Sequence, residues 1–312
     1  MRADEHGRRT GPAAPLLAAA LFCLPLTLSA TERPTRTVVD QTGRVLRLPT
    51  RIERVVSLAP SLTEIVYALG LEGRLVGVTN LCDFPPAARA KPKVGDVLNP
   101  SLEGIIELRP DVVLGTTAGN RRETVEALER AGIPLYGVEA RTVEEILASI
   151  QDVAELLGVP EAGEALAKQM RTRLAVLAAR LQQTQRPRVL FVLWLEPLLT
   201  VGSDTFLNDV LSRAGAESVT ANLHQDWPRL SLEFVIERDP DYLVLPRTFG
   251  LEAALARLAE GPPWRQVRAV EENRIVWLEE AVLRPGPRIV EVIEELARVL
   301  HPEIIFLEAA TN

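Results

Sequence analysis

The stretch PEAGEALAKQMRTRLAVLAARLQQT, residues 160–184, divides the sequence into two halves. Leucine and methionine side chains recur along it at steps of three and four residues: Leu166, Met170, Leu174, Leu177 and Leu181. This spacing predicts one amphipathic helix, roughly 25 residues and about 37 Å long. A polar segment that ends in a proline, residues 182–187, closes the pattern. We therefore expect a single long helix between the two halves and assign residues 158–185 to it.

Short β-rich runs and amphipathic runs alternate on both sides of this helix. Strand patterns before it occupy residues 54–59, 75–78, 112–114 and 134–138, and helical patterns occupy residues 102–108, 121–131 and 143–157. A further helix follows Pro60, where Ser61 and Glu64 have the spacing of a capping box. After the long helix, we expect a buried strand at 188–193 and a last helix at 287–300.

Such alternation is typical of parallel βαβ units. The sequence therefore predicts an α/β fold with two Rossmann-like lobes, joined by the single long helix, and a ligand cleft between the lobes. Residues 37–157 form the expected N-terminal lobe and residues 186–303 the expected C-terminal lobe. Residues 304–312 are left as a tail.

An internal repeat supports two related lobes. Ser101-Leu102-Glu103 is matched by Ser231-Leu232-Glu233, 130 residues later, and the same offset pairs Pro110-Asp111 with Pro240-Asp241. Each copy reads as a helix, a Pro-Asp turn and an apolar strand. Pro-Asp alone is common in turns, but the joint match at one offset indicates a repeat.

The first thirty residues have the pattern of a secretory signal. Three arginines fall within the first nine residues, an apolar run covers residues 13–28, and small residues follow at Ser29 and Ala30. The run is too short for a spanning helix. We expect cleavage near Ala30 and a periplasmic mature protein. Cys23 follows a bulky phenylalanine, which is a poor match for a lipoprotein anchor.

Composition excludes several classes of function. The formal net charge of −7 argues against a nucleic-acid partner, which requires a basic face. Two cysteines and three histidines are too few for a disulfide scaffold or a multi-cysteine metal site. The sequence has no dinucleotide-binding or phosphate-binding glycine loop, no His-Glu-x-x-His and no Gly-x-Ser-x-Gly. We expect no enzyme activity, no metal site and no cofactor.

Four positions remain as candidates for a binding site. Trp227, in a polar loop, is either a flat wall for a planar ligand or a packing residue. The charged turn at residues 279–288 either hydrogen-bonds a ligand rim or is merely solvated. His224 either faces the cleft or lies in solvent, and Cys82 either binds a metal or is a small packed residue.

Several segments together resemble a known family, the periplasmic binding proteins of ABC importers for vitamin B12, haem and iron-siderophores. They are Cys82-Asp83-Phe84-Pro85-Pro86, residues 101–114, Trp227-Pro228 and Arg284-Pro285-Gly286-Pro287-Arg288. The resemblance covers residues 37–303. It implies two lobes bridged by one rigid helix, and a receptor that delivers its ligand to a permease dimer in the inner membrane.

The resemblance also implies roles for particular residues. Phe84 and Trp227 would contact the ligand, and Glu280 and Arg284 would supply polar contacts from the last turn. A corrinoid of the cobalamin type is the expected ligand. An iron-siderophore or haem is the alternative, although the tyrosines lie on predicted helices and strands and the expected cleft loops carry few basic residues.

Finally, the resemblance implies that Glu103 and Glu233 dock the two lobes onto the permease. Each follows a serine at the start of a predicted helix, at equivalent places in the repeat. An acidic side chain in a first helical turn also stabilises its helix by about 0.3–1 kcal/mol. That effect explains either residue alone, and descent from one ancestral lobe would explain the shared position.

Overall fold

The structure is a computed structural model that describes residues 33–304, apart from Ala118 and Phe249. The predicted signal segment and all but the first residue of the predicted tail therefore lie outside the described residues. Of the described helices, none combines the length and apolar character that crossing a membrane requires.

The described chain begins with an antiparallel hairpin that the sequence patterns did not predict, β1 (Thr35–Val39) and β2 (Val45–Pro49). Its turn is built around the buried carboxylate of Asp40. That carboxylate accepts hydrogen bonds from the backbone N–H of Thr42 (3.0 Å) and Arg44 (2.9 Å). It also accepts one from the N–H of Gly137 (3.0 Å), which ties the hairpin to the first sheet.

The first half is a four-stranded parallel sheet in the order β4-β3-β5-β6. The strands are β3 (Val55–Ser57), β4 (Leu75–Val78), β5 (Val112–Thr116) and β6 (Leu135–Val138). The helices are α1 (Pro60–Ala68), α2 (Leu102–Glu107), α3 (Arg122–Arg130) and α4 (Val143–Leu156). Each predicted run in this half has its counterpart, with boundaries that differ by a few residues.

The capping box predicted at Ser61 and Glu64 is wrong. Helix α1 begins at Pro60, its N-cap is Ala59, and no side chain caps it. Proline needs no cap at the first helical position because it has no N–H to satisfy. Glu64 is buried, and its carboxylate pairs instead with arginines of the second half.

Helix α5 (Pro160–Leu181) lies between the halves in chain order, over most of the predicted range. Gly163 lets it approach α4 closely, since a Cβ there would lie 2.4 Å from the Cβ of Ala154. On the other side, Arg173 donates two hydrogen bonds (3.0 and 2.8 Å) to the carboxylate of Glu294, near the C-terminus of the chain. The helix therefore contacts elements of both halves.

The second half is a five-stranded sheet in the order β11-β10-β7-β8, with β9 also paired to β7. Only the β7–β8 pair is antiparallel. The strands are β7 (Arg188–Leu195), β8 (Leu198–Thr200), β9 (Glu217–Ser218), β10 (Tyr242–Pro246) and β11 (Ile275–Leu278). The helices are α6 (Phe206–Arg213), α7 (Leu232–Arg238), α8 (Leu251–Ala259), α9 (Pro262–Arg265), α10 (Arg268–Glu271) and α11 (Ile289–Leu300).

One apolar cluster runs through both halves. It includes Ile65 of α1 and Ile150 of α4 in the first half, Met170 of α5, and Val210 of α6 and Ile293 of α11 in the second half. Two smaller clusters fill the outer side of each sheet. The halves are therefore joined by shared core packing as well as by α5.

The 130-residue repeat is a repeat in the structure too. Ser101 caps α2 by accepting from the N–H of Gly104 (3.1 Å), and Ser231 caps α7 in the same way from Phe234 (3.2 Å). Asp111 accepts from the N–H of Arg54 just before β3 (2.9 Å). Its equivalent, Asp241, accepts from the N–H of Arg188 at the start of β7 (2.7 Å).

Candidate functional site

Loops that follow the carboxyl ends of parallel strands gather at one edge of a sheet, where α/β folds place their ligands. In this protein, large apolar side chains stay exposed on such loops and their neighbours, rather than in the core: Leu81, Phe84, Leu98, Trp194 and Trp227. Phe84 is 40% exposed and Trp227 is 47% exposed. Exposed aromatic rings in both halves mark a surface suited to a flat apolar ligand.

A group of five charged residues joins the halves beside Phe84, and we refer to it as the arginine cluster: Glu64, Asp83, Glu280, Arg284 and Arg288. The carboxylate of Glu64, only 4% exposed, accepts from Arg288 Nε (2.8 Å) and Nη2 (2.6 Å). Arg284 is 7% exposed and donates to Asp83 (2.7 Å), Glu280 (3.0 Å) and Glu64 (3.3 Å).

The charges of the arginine cluster stabilise each other. Burial disfavours the ionised form of Asp83, but the hydrogen bond from Arg284 and its positive charge outweigh burial and hold the pKa of that carboxyl below its ordinary value. Burial likewise works against the charge on Arg284, and the hydrogen bonds to Asp83 and Glu280 overcome it and raise the pKa of the guanidinium. Arg284 is therefore a buried cation with carboxylate partners.

Phe84 lies on the surface of the arginine cluster. The guanidinium carbon of Arg288 lies 3.9 Å from the centre of the Phe84 ring, at stacking distance. Phe84 belongs to the loop after β4, whereas Arg288 immediately precedes α11. The contact therefore spans the two halves.

Trp227 lies in a different part of the junction. With residues of both halves it lines a cavity of about 230 Å³, which we term the Trp227 cavity. Arg141 of the first half crosses this cavity to Asp226 of the second, with Nη1 3.1 Å from Oδ1. Nearby, the N–H of Val143 donates to the carboxylate of Asp209 (2.8 Å), a second polar link between the halves.

The predicted site residues therefore fall into three groups. Phe84, Glu280 and Arg284 come together around the arginine cluster. Trp227 lines its own cavity at the same junction. Glu103 and Glu233 are exposed in the first turns of α2 and α7.

Two residues left open by the sequence have clear surroundings. Cys82 is buried, and its Sγ lies 3.1 Å from the hydroxyls of both Thr63 and Thr79. It is a packed core residue. The ring of His224 is exposed, with Nδ1 3.1 Å from Ser203 Oγ. Within the described ranges, no group of three or more His, Cys, Asp and Glu side chains is arranged to hold a metal ion.

A cavity of about 490 Å³ lies away from this junction. All its lining residues belong to the first half, between the β1–β2 turn and α3. Its rim charges are paired, Arg44 with Glu129 (3.2 Å) and Arg122 with Glu126 (2.9 Å). It lacks the exposed aromatic rings that mark the junction.

Sequence reasoning missed Glu64, Arg288 and Arg141 as site residues. Arg288 stood in the motif that ends at that residue, but its partner Glu64 is 224 positions away. Arg141 and Asp226 are 85 positions apart. A single sequence holds no signal for contacts at such separations.

Known proteins resemble this chain over most of its length. Residues 55–282 match the family model described as periplasmic binding protein. The vitamin B12-binding protein of Vibrio parahaemolyticus is 32% identical over 247 residues, which are 78% of this chain and 88% of that protein. An uncharacterized ABC transporter substrate-binding lipoprotein of Bacillus subtilis is 30% identical over 275 residues, 86% of each chain.

Solved structures agree with this relationship. The periplasmic haem-binding protein of Pseudomonas aeruginosa matches with a TM-score of 0.75 at 30% identity, over 82% of this chain and 95% of that one. The two-lobed α/β fold and the match across residues 55–282 lead to one conclusion. This chain is a member of the periplasmic binding protein family.

Proposed function

We propose that this protein captures a corrinoid of the cobalamin type between its two halves and delivers it to the permease of an ABC importer. The observation that carries the proposal is the pair of exposed aromatic rings, Phe84 and Trp227, one in each half at the junction. A flat macrocycle that stacks on such rings covers apolar surface that would otherwise face water. The B12-binding relative supports the choice of ligand.

The charges around the junction favour a ligand with little net charge. Arg284, Arg288 and Arg141 each face carboxylates of the protein. A cation that is already paired offers little attraction to the carboxylates of haem or to an anionic siderophore. The amide-rimmed ring of cobalamin needs hydrogen-bonding partners rather than free cations, and Glu280 supplies an acceptor there.

Haem is the second candidate, because a haem-binding protein shares the fold at 30% identity. Haem receptors require a side chain for the axial position of iron. Tyr136, in β6, is buried, and burial together with the nearby Asp152, Asp40 and Glu155 raises its pKa to about 12. It therefore makes a poor axial ligand. The other tyrosines of the described chain lie on α1 and β10.

Absorption spectroscopy and calorimetry separate these ligands. Purified protein is titrated with cyanocobalamin and, in parallel, with haemin. We expect saturable heat of binding with cyanocobalamin at a one-to-one ratio. Binding of haemin alone, with a shifted Soret band, would overturn the corrinoid proposal.

Delivery to a permease is the second part of the proposal. Glu103 and Glu233 are equivalent in the repeat and exposed on separate halves, so they offer two matching acidic contacts to a symmetric permease dimer. The Bacillus relative named as an ABC transporter substrate-binding lipoprotein supports this partner. The protein itself acts by binding and has no catalytic step. We also propose that it reaches the periplasm by cleavage near Ala30.

A further inference from the structure

The guanidinium of Arg288 touches two elements of the opposite half at once. Its Nε–Nη2 edge donates side-on to the carboxylate of Glu64 in α1. Its carbon lies 3.9 Å from the ring centre of Phe84, in the loop after β4. A planar guanidinium can do both, because its edge carries the N–H donors and its faces remain free to stack.

This arrangement leaves one side of Phe84 for another partner. The cation covers one face of the ring, yet the residue keeps 40% of its surface exposed. Glu64 is almost completely buried on α1, so it is a fixed anchor for Arg288. The ring is thus held from behind by a cation that is itself held by a buried carboxylate.

We propose that Arg288 is a positioning residue that fixes the Phe84 ring for ligand stacking, with Glu64 as its anchor. The inference rests on the proposed function, in which the ligand contacts Phe84. A ring fixed before binding loses less rotational freedom when the ligand stacks on it, which raises affinity. The cation also withdraws electron density from the ring, which favours stacking with an electron-rich macrocycle.

A double-mutant cycle tests whether Arg288 acts through Phe84. Affinity for cyanocobalamin is measured by calorimetry for wild type, Arg288→Gln, Phe84→Ala and the double variant. We expect Arg288→Gln to weaken binding by about three- to tenfold in the wild-type background. In the Phe84→Ala background, we expect the same change to have no further effect, since the ring that it positions is gone.

Two further variants separate positioning from general stability. Arg288→Lys keeps a positive charge beside Glu64 but loses the planar stacking face, so it should restore thermal stability without restoring affinity. Arg173→Gln is the matched control. It removes another arginine that makes two hydrogen bonds to one glutamate, on α5, and should lower thermal stability without changing affinity.

The outcomes are distinct. Equal losses of affinity from Arg288→Gln in both backgrounds would overturn the positioning role, as would full affinity in Arg288→Gln. If Phe84→Ala alone leaves affinity unchanged, both the positioning role and the contact of Phe84 with the ligand are wrong. If wild type binds haemin and not cyanocobalamin, the corrinoid proposal fails, and the same cycle with haemin then supports or overturns the role of Arg288.

Discussion

Arg109 and Asp239 lie 130 residues apart and share one unusual backbone conformation, with φ of +43° and +45°. Asp239 is the C-cap of α7, and Arg109 follows the C-cap of α2. Left-handed backbone costs a non-glycine residue about 1 kcal/mol. Both halves nevertheless use it to turn from the repeated helix into the Pro-Asp pair that precedes the next strand. The two halves therefore share a detailed turn geometry as well as an order of elements.

The first prediction concerns Trp227. Trp227→Ala should weaken the binding of cyanocobalamin by roughly ten- to a hundredfold, because stacking on an aromatic face is worth about 1–3 kcal/mol. Calorimetry measures the change. Phe234→Ala is the control, since Phe234 lies on α7 and stacks with Arg238 rather than lining the Trp227 cavity. An unchanged dissociation constant for Trp227→Ala would make that side chain a packing residue.

The second prediction concerns Arg284. Arg284→Gln leaves the buried carboxylate of Glu64 and its neighbour Asp83 with less compensation, so the free energy of unfolding should fall by about 3–5 kcal/mol. Urea denaturation measures this. Arg122→Gln removes an arginine from the exposed pair with Glu126 and should cost at most about 0.5 kcal/mol. Similar losses in the two variants would contradict the structural role of Arg284.

The third prediction is a pH dependence that arises from Asp40. Burial would raise its pKa, but hydrogen bonds from Thr42, Arg44 and Gly137 outweigh burial and lower it. The ionised carboxylate therefore stabilises the fold above the unfolded pKa of about 3.9, and this contribution is lost as pH falls through the lower folded value.

We accordingly expect Asp40→Asn to be less stable than wild type by about 2 kcal/mol at neutral pH. The deficit should shrink as the pH falls below about 4. Urea denaturation across this range measures it. Asp96→Asn, in an exposed loop, is the control and should show little deficit at any pH. A deficit for Asp40→Asn that stays constant down to pH 2 would refute the assignment.

The fourth prediction concerns docking. The double variant Glu103→Gln, Glu233→Gln should fold and bind ligand as wild type does, but should lose capture by the cognate permease in a pull-down at low salt. The control removes the repeat-related acids at the other ends of the same helices, Glu107→Gln with Glu237→Gln. Undiminished capture of the first variant would leave only the effect of its glutamates on helix stability.

The fifth prediction concerns export. Protein recovered from the periplasm of a Gram-negative host should lack about thirty N-terminal residues, as expected for removal of a secretory signal. Intact-mass spectrometry gives the new N-terminus. A chain that keeps its first residues, or one with lipid on Cys23, would contradict cleavage near Ala30.

Local patterns were sufficient to predict most of the fold. The apolar spacing of α5 and the β-rich run at β7 are signals within one element, and both elements appear where expected. The hairpin β1–β2 was missed because the outward residues of β1 include Val39, which is exposed, so the usual alternation of apolar and polar side chains is blurred.

The site was harder to predict, because its geometry depends on long-range pairing. The pattern around Ser61 and Glu64 satisfied a local rule, yet the carboxylate of Glu64 pairs with arginines more than 200 residues away. Arg284 was expected to face a ligand, and its guanidinium is instead surrounded by protein carboxylates. Whether it also contacts the ligand stays a prediction.

The apolar cluster that runs through both halves also governs how the protein unfolds. Neither half can open its inner face without exposing side chains of the other, so partial melting would carry the cost of exposing that shared surface. Proteins with separate domains commonly melt in steps, whereas a common core favours a single cooperative transition. Calorimetric and van't Hoff enthalpies should therefore agree, and heat should denature the two repeats together.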